Sequence, residues 1–166
     1  MSLRRWRPED AAVLHDMITH NADHLRPWMA WIAREPGTLG DREALLSSWN
    51  DSWNDRSDFA YAILHDESVV GSAGLHLRQG RGVFDIGYWV DVGQLGRGLA
   101  TRVARILADE ALTFDDVHAV EIHHDVYNVA SARVAEKAGF AAVADYEREP
   151  EGPGGCGVFR RWVRVR

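Results

Sequence analysis

The segment spanning residues 83–111 constrains the fold of this chain more than any other. A strand-like run at 83–92 leads through Gly96 and Gly98 directly into the most regular amphipathic helix of the sequence. Glycines let main-chain N–H groups approach a bound anion closely, and the first turn of a helix leaves several N–H groups unpaired. The pattern predicts a phosphate site built from main-chain donors. A plain glycine turn before a helix has the same spacing, so the glycines alone leave both interpretations open.

The order of hydrophobic patterns along the chain predicts the fold class. Strand patterns occur at 3–6, 59–64, 68–75, 83–92, 117–126, 140–147 and 157–165, and helical patterns follow Pro8 and lie at 41–54, after Gly98 and at 130–138. The first helix is expected to end between Asn21 and Pro27, with a broken, Trp-rich stretch at 25–32. Three successive strands with short turns predict an antiparallel meander, and the later strand–helix–strand crossover requires a parallel pair. We therefore expect one α/β (α+β) domain over residues 1–166, with a mixed, mostly antiparallel central sheet of about seven strands flanked by helices.

Composition excludes several classes of protein. The formal net charge is −6, whereas nucleic-acid modules concentrate Lys and Arg against phosphates. The single cysteine, Cys156, cannot form an intramolecular disulfide, and no apolar run approaches the roughly 20 residues of a membrane span. We expect a cytoplasmic protein that binds neither nucleic acid nor membrane.

Four ordered blocks of sequence carry a family resemblance. They are Ile86-Gly87-Tyr88-Trp89-Val90-Asp91, Gly96-Arg97-Gly98-Leu99-Ala100-Thr101, Asn128-Val129-Ala130-Ser131 and Glu136-Lys137-Ala138-Gly139-Phe140. These blocks resemble the GNAT superfamily of acetyl-CoA-dependent N-acetyltransferases, in particular its RimJ/RimL branch. The early residues Leu25-Arg26-Pro27-Trp28 with Trp31 are similar to that branch as well. The resemblance spans nearly the whole chain and implies the GNAT fold.

The resemblance implies acetyl-CoA as co-substrate and assigns residues to it. Main-chain N–H groups of the glycine turn would hold the CoA diphosphate, the strand before the turn would pair with the pantetheine amides, and Asn128 would contact the pantetheine arm. Leu95 stands where the family usually has Gln or Arg, which predicts weakened binding. The cofactor residues implied are Val90, Leu95, Gly96, Arg97, Gly98, Leu99, Ala100, Thr101 and Asn128.

Acetyl transfer to an amine needs a group that takes the proton of the amine and an acid that protonates the leaving thiolate. By resemblance Ser131 is the acid, although a serine there could instead cap the following helix. His123 and Glu149 are the candidate bases, and Glu121 shares a strand face with His123 because side chains alternate along a strand. The same alternation places His123 and His124 on opposite faces, so we expect no metal site.

The acceptor is expected to be a primary amine. Trp28 and Trp31 are candidates for its binding pocket, with packing of the first two helices as the alternative. By family analogy the amine is the N-terminus of a protein or peptide. The second interpretation is a small-molecule amine such as a polyamine or an aminoglycoside. Asp51, Asp55 and Asp58 would then supply acids around the opening of the acceptor pocket. The third is a non-catalytic CoA-binding sensor. A homodimer is possible.

Overall fold

The structure is a computed structural model that describes residues 1–166 and contains one seven-stranded sheet in the order β1-β2-β3-β4-β5-β7-β6. All neighbouring strands are antiparallel except β4 and β5, which are parallel. The predicted mixed sheet is therefore confirmed. The strands are β1 (Ser2–Arg5), β2 (Asp58–His65), β3 (Ser68–His76), β4 (Val83–Val90), β5 (Ala119–Asp125), β6 (Ala141–Glu147) and β7 (Val158–Val165).

Four α-helices cover the two faces of the sheet, and short 3₁₀ turns lie at Pro8–Asp10, Ala30–Arg34 and Val92–Gln94. The main core contains 21 buried residues, drawn from the sheet and from α3 and α4. A second core of 9 buried residues lies beneath α1 and α2 on the other face. All four helices are too short or too polar to span a bilayer. The helices are α1 (Ala11–Leu25), α2 (Leu39–Asn54), α3 (Leu99–Ala111) and α4 (Val129–Lys137).

The first helix ends at Leu25, within the predicted range of Asn21 to Pro27. Asparagine is a poor helix former, yet Asn21 lies inside the helix. The Asn21 side chain is fully buried, where its amide nitrogen donates to the Met17 carbonyl oxygen and to Asp91. These tertiary contacts outweigh the local helix propensity of the residue.

Strands β4 and β5 diverge soon after they pair. Their shared register covers only Val83↔Ala119, Phe84↔Val120 and Asp85↔Glu121. Beyond Asp85 the two strands separate, which opens a cleft along the rest of β4. The cleft leads from the middle of the sheet to the glycine turn before α3.

Candidate active site

The glycine turn presents a row of free main-chain donors. None of the N–H groups from Leu95 to Thr101 donates a hydrogen bond within the protein, and the first bond of α3 runs from Arg102 N–H to the Gly98 carbonyl oxygen. Gly96 and Gly98 adopt left-handed φ values of 74° and 71°, which a residue with a Cβ rarely adopts. The free donors and the left-handed glycines together suit an anion. Leu95 is half-exposed, and its main chain belongs to this row.

Helix α1 fixes the approach to the glycine turn through the buried Asn21. The Asn21 amide nitrogen lies 2.9 Å from Asp91 Oδ2, and its side-chain oxygen accepts from Val92 N–H at 2.7 Å. The other oxygen of Asp91 accepts from Gly93 N–H at 2.8 Å. Asn21 therefore anchors the turn to the rest of the fold. The sequence did not predict that Asn21 anchors the turn, because an asparagine after a helical pattern usually indicates the end of the helix.

The main chain of β4 faces the cleft at alternate residues. Asp91 N–H bonds to the Val70 carbonyl oxygen on β3, and successive residues of a strand direct their N–H and C=O groups to opposite sides. The polar main-chain groups of Ile86, Tyr88 and Val90 therefore point away from β3 into the cleft, where β5 no longer pairs with them. An extended amide-containing arm could add to this edge like another strand.

A cavity of about 950 Å³ lies between the sheet and the segment around α1 and α2. Trp28 and Trp31 line it, together with Met29 and Trp49, whereas Trp53 packs against Phe59 and Tyr61 on the sheet. Asn128 and Ser131 from the start of α4 also line it. The cavity thus brings the two predicted pocket tryptophans and the predicted acid to one site.

Asn128, rather than Ser131, caps helix α4. Its side-chain oxygen accepts from Ser131 N–H at 3.1 Å, so the Ser131 hydroxyl is not needed for capping. The neighbouring Tyr88 hydroxyl is buried without a hydrogen bond of standard geometry. Burial raises the pKa of Tyr88 to about 12, and the adjacent Ser131 hydroxyl offsets part of that rise. Tyr88 therefore remains protonated at neutral pH, next to the predicted acid.

The adjacent histidines of β5 face opposite sides of the sheet, as predicted. His124 is buried on the main-core side, where Trp162 Nε1 donates to its Nε2 at 2.8 Å and its Nδ1 donates to the Asp125 carbonyl oxygen. These partners fix one neutral tautomer, because an indole N–H only donates and a carbonyl only accepts. Burial, the largest effect, lowers the pKa of His124. His124 is therefore a structural residue.

His123 lies on the opposite face of β5 and, like His124, lines the cavity, but both of its ring nitrogens have partners. Nε2 lies 2.8 Å from Glu121 Oε2, and Nδ1 lies 2.9 Å from the Tyr146 hydroxyl. Because an ionised carboxylate only accepts, Nε2 donates and Nδ1 accepts from Tyr146. Burial alone would raise the pKa of Glu121, but hydrogen bonds from Arg161 and His123 bring it below its usual range. His123 could act as a base only if the Tyr146 hydroxyl moved away.

Glu149, the other candidate base, is exposed and does not line the cavity.

The arginines of β7 and the C-terminus all have hydrogen-bond or ion-pair partners within the protein, so they stabilise the fold. The contacts are Arg160 with Asp145, Arg161 with Glu121, Arg164 with Asp109, and Arg166 with the carbonyl oxygens of Leu112 and Phe114.

The loop between β6 and β7 borders the cavity and is held from both sides. Gly154 N–H donates to the Pro27 carbonyl oxygen at 3.0 Å, and a Cβ on Gly152 would lie 2.5 Å from that oxygen. On the other side, Asp125 Oδ2 accepts from Cys156 N–H and Gly157 N–H at 2.8 and 2.9 Å. Asp125 at the end of β5 therefore ties this loop to the sheet.

We expect Asp125→Asn to lower the free energy of unfolding by about 1–3 kcal/mol at neutral pH, because it weakens charge-assisted hydrogen bonds. Burial alone would raise the pKa of Asp125, but the main-chain donors of Tyr127, Gly157 and Cys156 bring it below its usual range. The carboxylate therefore contributes stability at neutral pH that is lost as the pH falls through its folded pKa. Urea unfolding at neutral and acid pH measures this, with Asp115→Asn at an exposed aspartate as the control. A difference between the wild type and Asp125→Asn that is the same at both pH values would contradict the assignment.

Comparison with known proteins identifies the family. The family model described as an acetyltransferase (GNAT) domain matches residues 1–141. The chain is 30% identical to "Putative ribosomal N-acetyltransferase YdaF" of Bacillus subtilis (strain 168) over 142 residues, which are 84% of this chain and 77% of that protein.

Solved structures share the fold. The RimL ribosomal L7/L12 alpha-N-protein acetyltransferase in complex with coenzyme A is 17% identical, with a TM-score of 0.89 over 98% of this chain and 92% of that one. Mycobacterium smegmatis RimJ in complex with CoA-disulfide is 23% identical, with a TM-score of 0.86 over 98% of this chain and 80% of that one. At these identities the two structures establish the fold alone. The family match and the curated relative go further, and they show that this chain belongs to the GNAT family of acetyltransferases.

Proposed function

We propose that this protein transfers the acetyl group of acetyl-CoA to the α-amino group of a protein or peptide, by direct attack of the amine in a ternary complex. The observation that carries the proposal is the run of free N–H groups from Leu95 to Thr101 at the open end of the β4–β5 cleft. A diphosphate at that turn and a pantetheine arm along β4 would bring a thioester toward Ser131. The RimL and RimJ structures named above contain CoA or its disulfide, which supports the same use here.

The chemical step follows from the groups near Ser131. The amine nitrogen forms a bond to the thioester carbonyl carbon, the carbon–sulfur bond breaks, and the sulfur leaves with the electron pair. We assign Ser131 as the donor of the proton that converts this thiolate to free CoA. Tyr88, which keeps its own proton because its pKa is raised to about 12, can hydrogen-bond to Ser131 as the serine gives up its proton.

The charges around the cavity favour an acceptor with one positive group. Among the carboxylates that line it, Asp85 alone forms no hydrogen bond or ion pair within the protein, and burial, the largest effect, raises its pKa. A polyamine would require several free acids. Asp51 and Asp55 do not line the cavity, and Asp58 is bonded to His76. The occupied carboxylates are Glu35 with Arg42, Asp41 with Thr38, Asp125 with the β6–β7 loop, and Glu151 with Arg148.

The ionisation of amines favours an α-amino acceptor as well. An α-amino group with a pKa of about 7.7–8.0 is roughly one-tenth neutral at neutral pH, whereas a lysine side chain near 10.4 is neutral in only a few parts in ten thousand. Deprotonating the lysine costs about 4–5 kcal/mol. An N-terminal amine therefore needs a weaker base than a lysine side chain does.

The proposal is tested by measuring release of free CoA thiol from acetyl-CoA with a matched set of amines. The set contains a peptide with a free N-terminus and one lysine, the same peptide with a blocked N-terminus, spermidine and an aminoglycoside. We expect thiol release with the first peptide and loss of most of it when the N-terminus is blocked. Turnover with spermidine or the aminoglycoside alone would indicate a small-molecule acceptor. Binding of acetyl-CoA with no thiol release from any amine would indicate a sensor.

A further inference from the structure

A histidine on β3 lies in the cavity with one ring nitrogen free, and the site described so far does not use it. His76 lies at the end of β3, in register with Asp85 of β4, and its side chain lines the cavity. The ring lies over Gly74 and Gly87, which face each other across β3 and β4. A Cβ on Gly74 would lie 2.8 Å from His76 Nε2, and one on Gly87 would lie 3.1 Å from it. The two facing glycines thus make the space that the imidazole occupies.

A carboxylate on the next strand fixes the orientation of the ring. Asp58 of β2 is in register with His76, and its Oδ1 lies 2.5 Å from His76 Nδ1. Because an ionised carboxylate only accepts, Nδ1 carries the proton and the lone pair of the neutral ring is on Nε2. No group of the protein donates to Nε2. Arg78 lies 3.7 Å from the other oxygen of Asp58, and its Nη2 lies 3.3 Å from His76 Nδ1. A guanidinium only donates, so the much shorter contact with Asp58 is the one that decides the proton on Nδ1.

The geometry points to His76, oriented by Asp58, as the group that takes the proton from the acceptor amine. The inference rests on the proposed transfer to a primary amine. As the nitrogen bonds to the thioester carbon and the carbon–sulfur bond breaks, the amine proton passes to His76 Nε2. The resulting imidazolium is paired with Asp58 through Nδ1–H and releases its proton to water in the cavity. Ser131, which gives its proton to the sulfur, regains one from water, so both side chains return to their starting state. The net reaction moves the acetyl group to the amine and one proton from the amine to CoA.

His76 fits the role better than the bases expected from the sequence. The lone pair of His123 accepts from Tyr146, and Glu149 does not line the cavity, whereas His76 Nε2 is free beside the main chain of β4. The side chain is 18% exposed, so it can exchange protons with the cavity. Its surroundings carry both charge signs. The titratable or charged groups near His76 are Asp58 on β2, Arg78 just past β3 and Asp85 on β4, and Asp85 in turn interacts with Glu121 and His123 on β5.

The test compares His76→Gln, Asp58→Asn and the control His118→Gln at an exposed histidine of the loop before β5. Glutamine can keep a hydrogen bond to Asp58 but has no titratable nitrogen. With the active peptide of the set above, we expect His76→Gln to lower kcat/KM about 100-fold at neutral pH, because glutamine cannot take the proton of the amine. Asp58→Asn should lower kcat/KM about tenfold. The Kd for CoA and the Tm should stay unchanged in both.

A second test measures the protonation of His76 directly and uses the protein alone, without an acceptor amine. Nitrogen-15 NMR of the histidine side chains should show neutral His76 with its proton on Nδ1 in the wild type. Unchanged kcat/KM in His76→Gln, or a proton on Nε2, would overturn the inference. Parallel losses of CoA affinity and Tm in His76→Gln would also overturn it, because they would assign the residue to the fold. If wild-type protein turns over no amine, the proposed function fails, and the tautomer then decides separately whether His76 is oriented as a base.

Discussion

Ser131→Ala is expected to lower kcat about 100-fold while leaving the Kd for acetyl-CoA unchanged. General acid catalysis contributes roughly 10²–10⁴-fold, and the thiolate would have to leave without a proton donor. The fold should tolerate the change, because Asn128 and not Ser131 caps α4. Thiol release gives kcat, and titration calorimetry gives the Kd.

The matched control is Ser47→Ala, which makes the same substitution at an exposed site on α2 and should leave kcat unchanged. Tyr88→Phe should give a smaller loss than Ser131→Ala, because Tyr88 acts through Ser131. If Ser131→Ala keeps wild-type kcat with every active acceptor, Ser131 is not the acid. If Tyr88→Phe instead gives the larger loss, the proton comes from Tyr88.

Gly98→Val is expected to raise the Kd for CoA about 100-fold, equivalent to about 2.7 kcal/mol. Gly98 has a φ of 71°, and no heavy atom lies within 4 Å of a Cβ built on it. In the free protein the substitution therefore costs mainly left-handed backbone strain, about 1–2 kcal/mol. In the complex, the side chain would occupy the space where the diphosphate is proposed to lie.

Gly139→Val separates these two effects. Gly139 follows α4, has a φ of 89° and is equally open, but it lies outside the turn. Both variants should lose similar unfolding free energy in urea, and Gly98→Val alone should lose CoA affinity in calorimetry. Equal CoA affinities in the two variants would show that the diphosphate does not bind at this turn.

The parts of the site that sequence could predict are those encoded by neighbouring residues. The glycine turn was visible because two glycines and an amphipathic helix follow a strand directly, and the structure confirms that its N–H groups are free. The resemblance to the GNAT family supplied Asn128 and Ser131, and both line the cavity with Trp28 and Trp31. In each case the signal lay in a short continuous stretch.

Other residues of the site were missed because their partners are far along the chain. Asn21 meets Asp91 only when α1 packs beside the glycine turn, and the His76–Asp58 pair forms only through the register of β2 and β3. No local sequence signal distinguishes Asp85 from the other carboxylates. Pairing with β5 places it where the strands diverge, beside His76 and His123.

The sequence by itself determined the order of strands and helices, the left-handed turn before α3 and the family, since these depend on local backbone preferences and on residues close together in the chain. Only the tertiary structure decided which polar side chains remain available for chemistry. An imidazole or a carboxylate is free only if no group far along the chain already forms a hydrogen bond with its lone pair or its N–H. Strand register and helix packing set those partners, and they left His76 Nε2 free while occupying both nitrogens of His123.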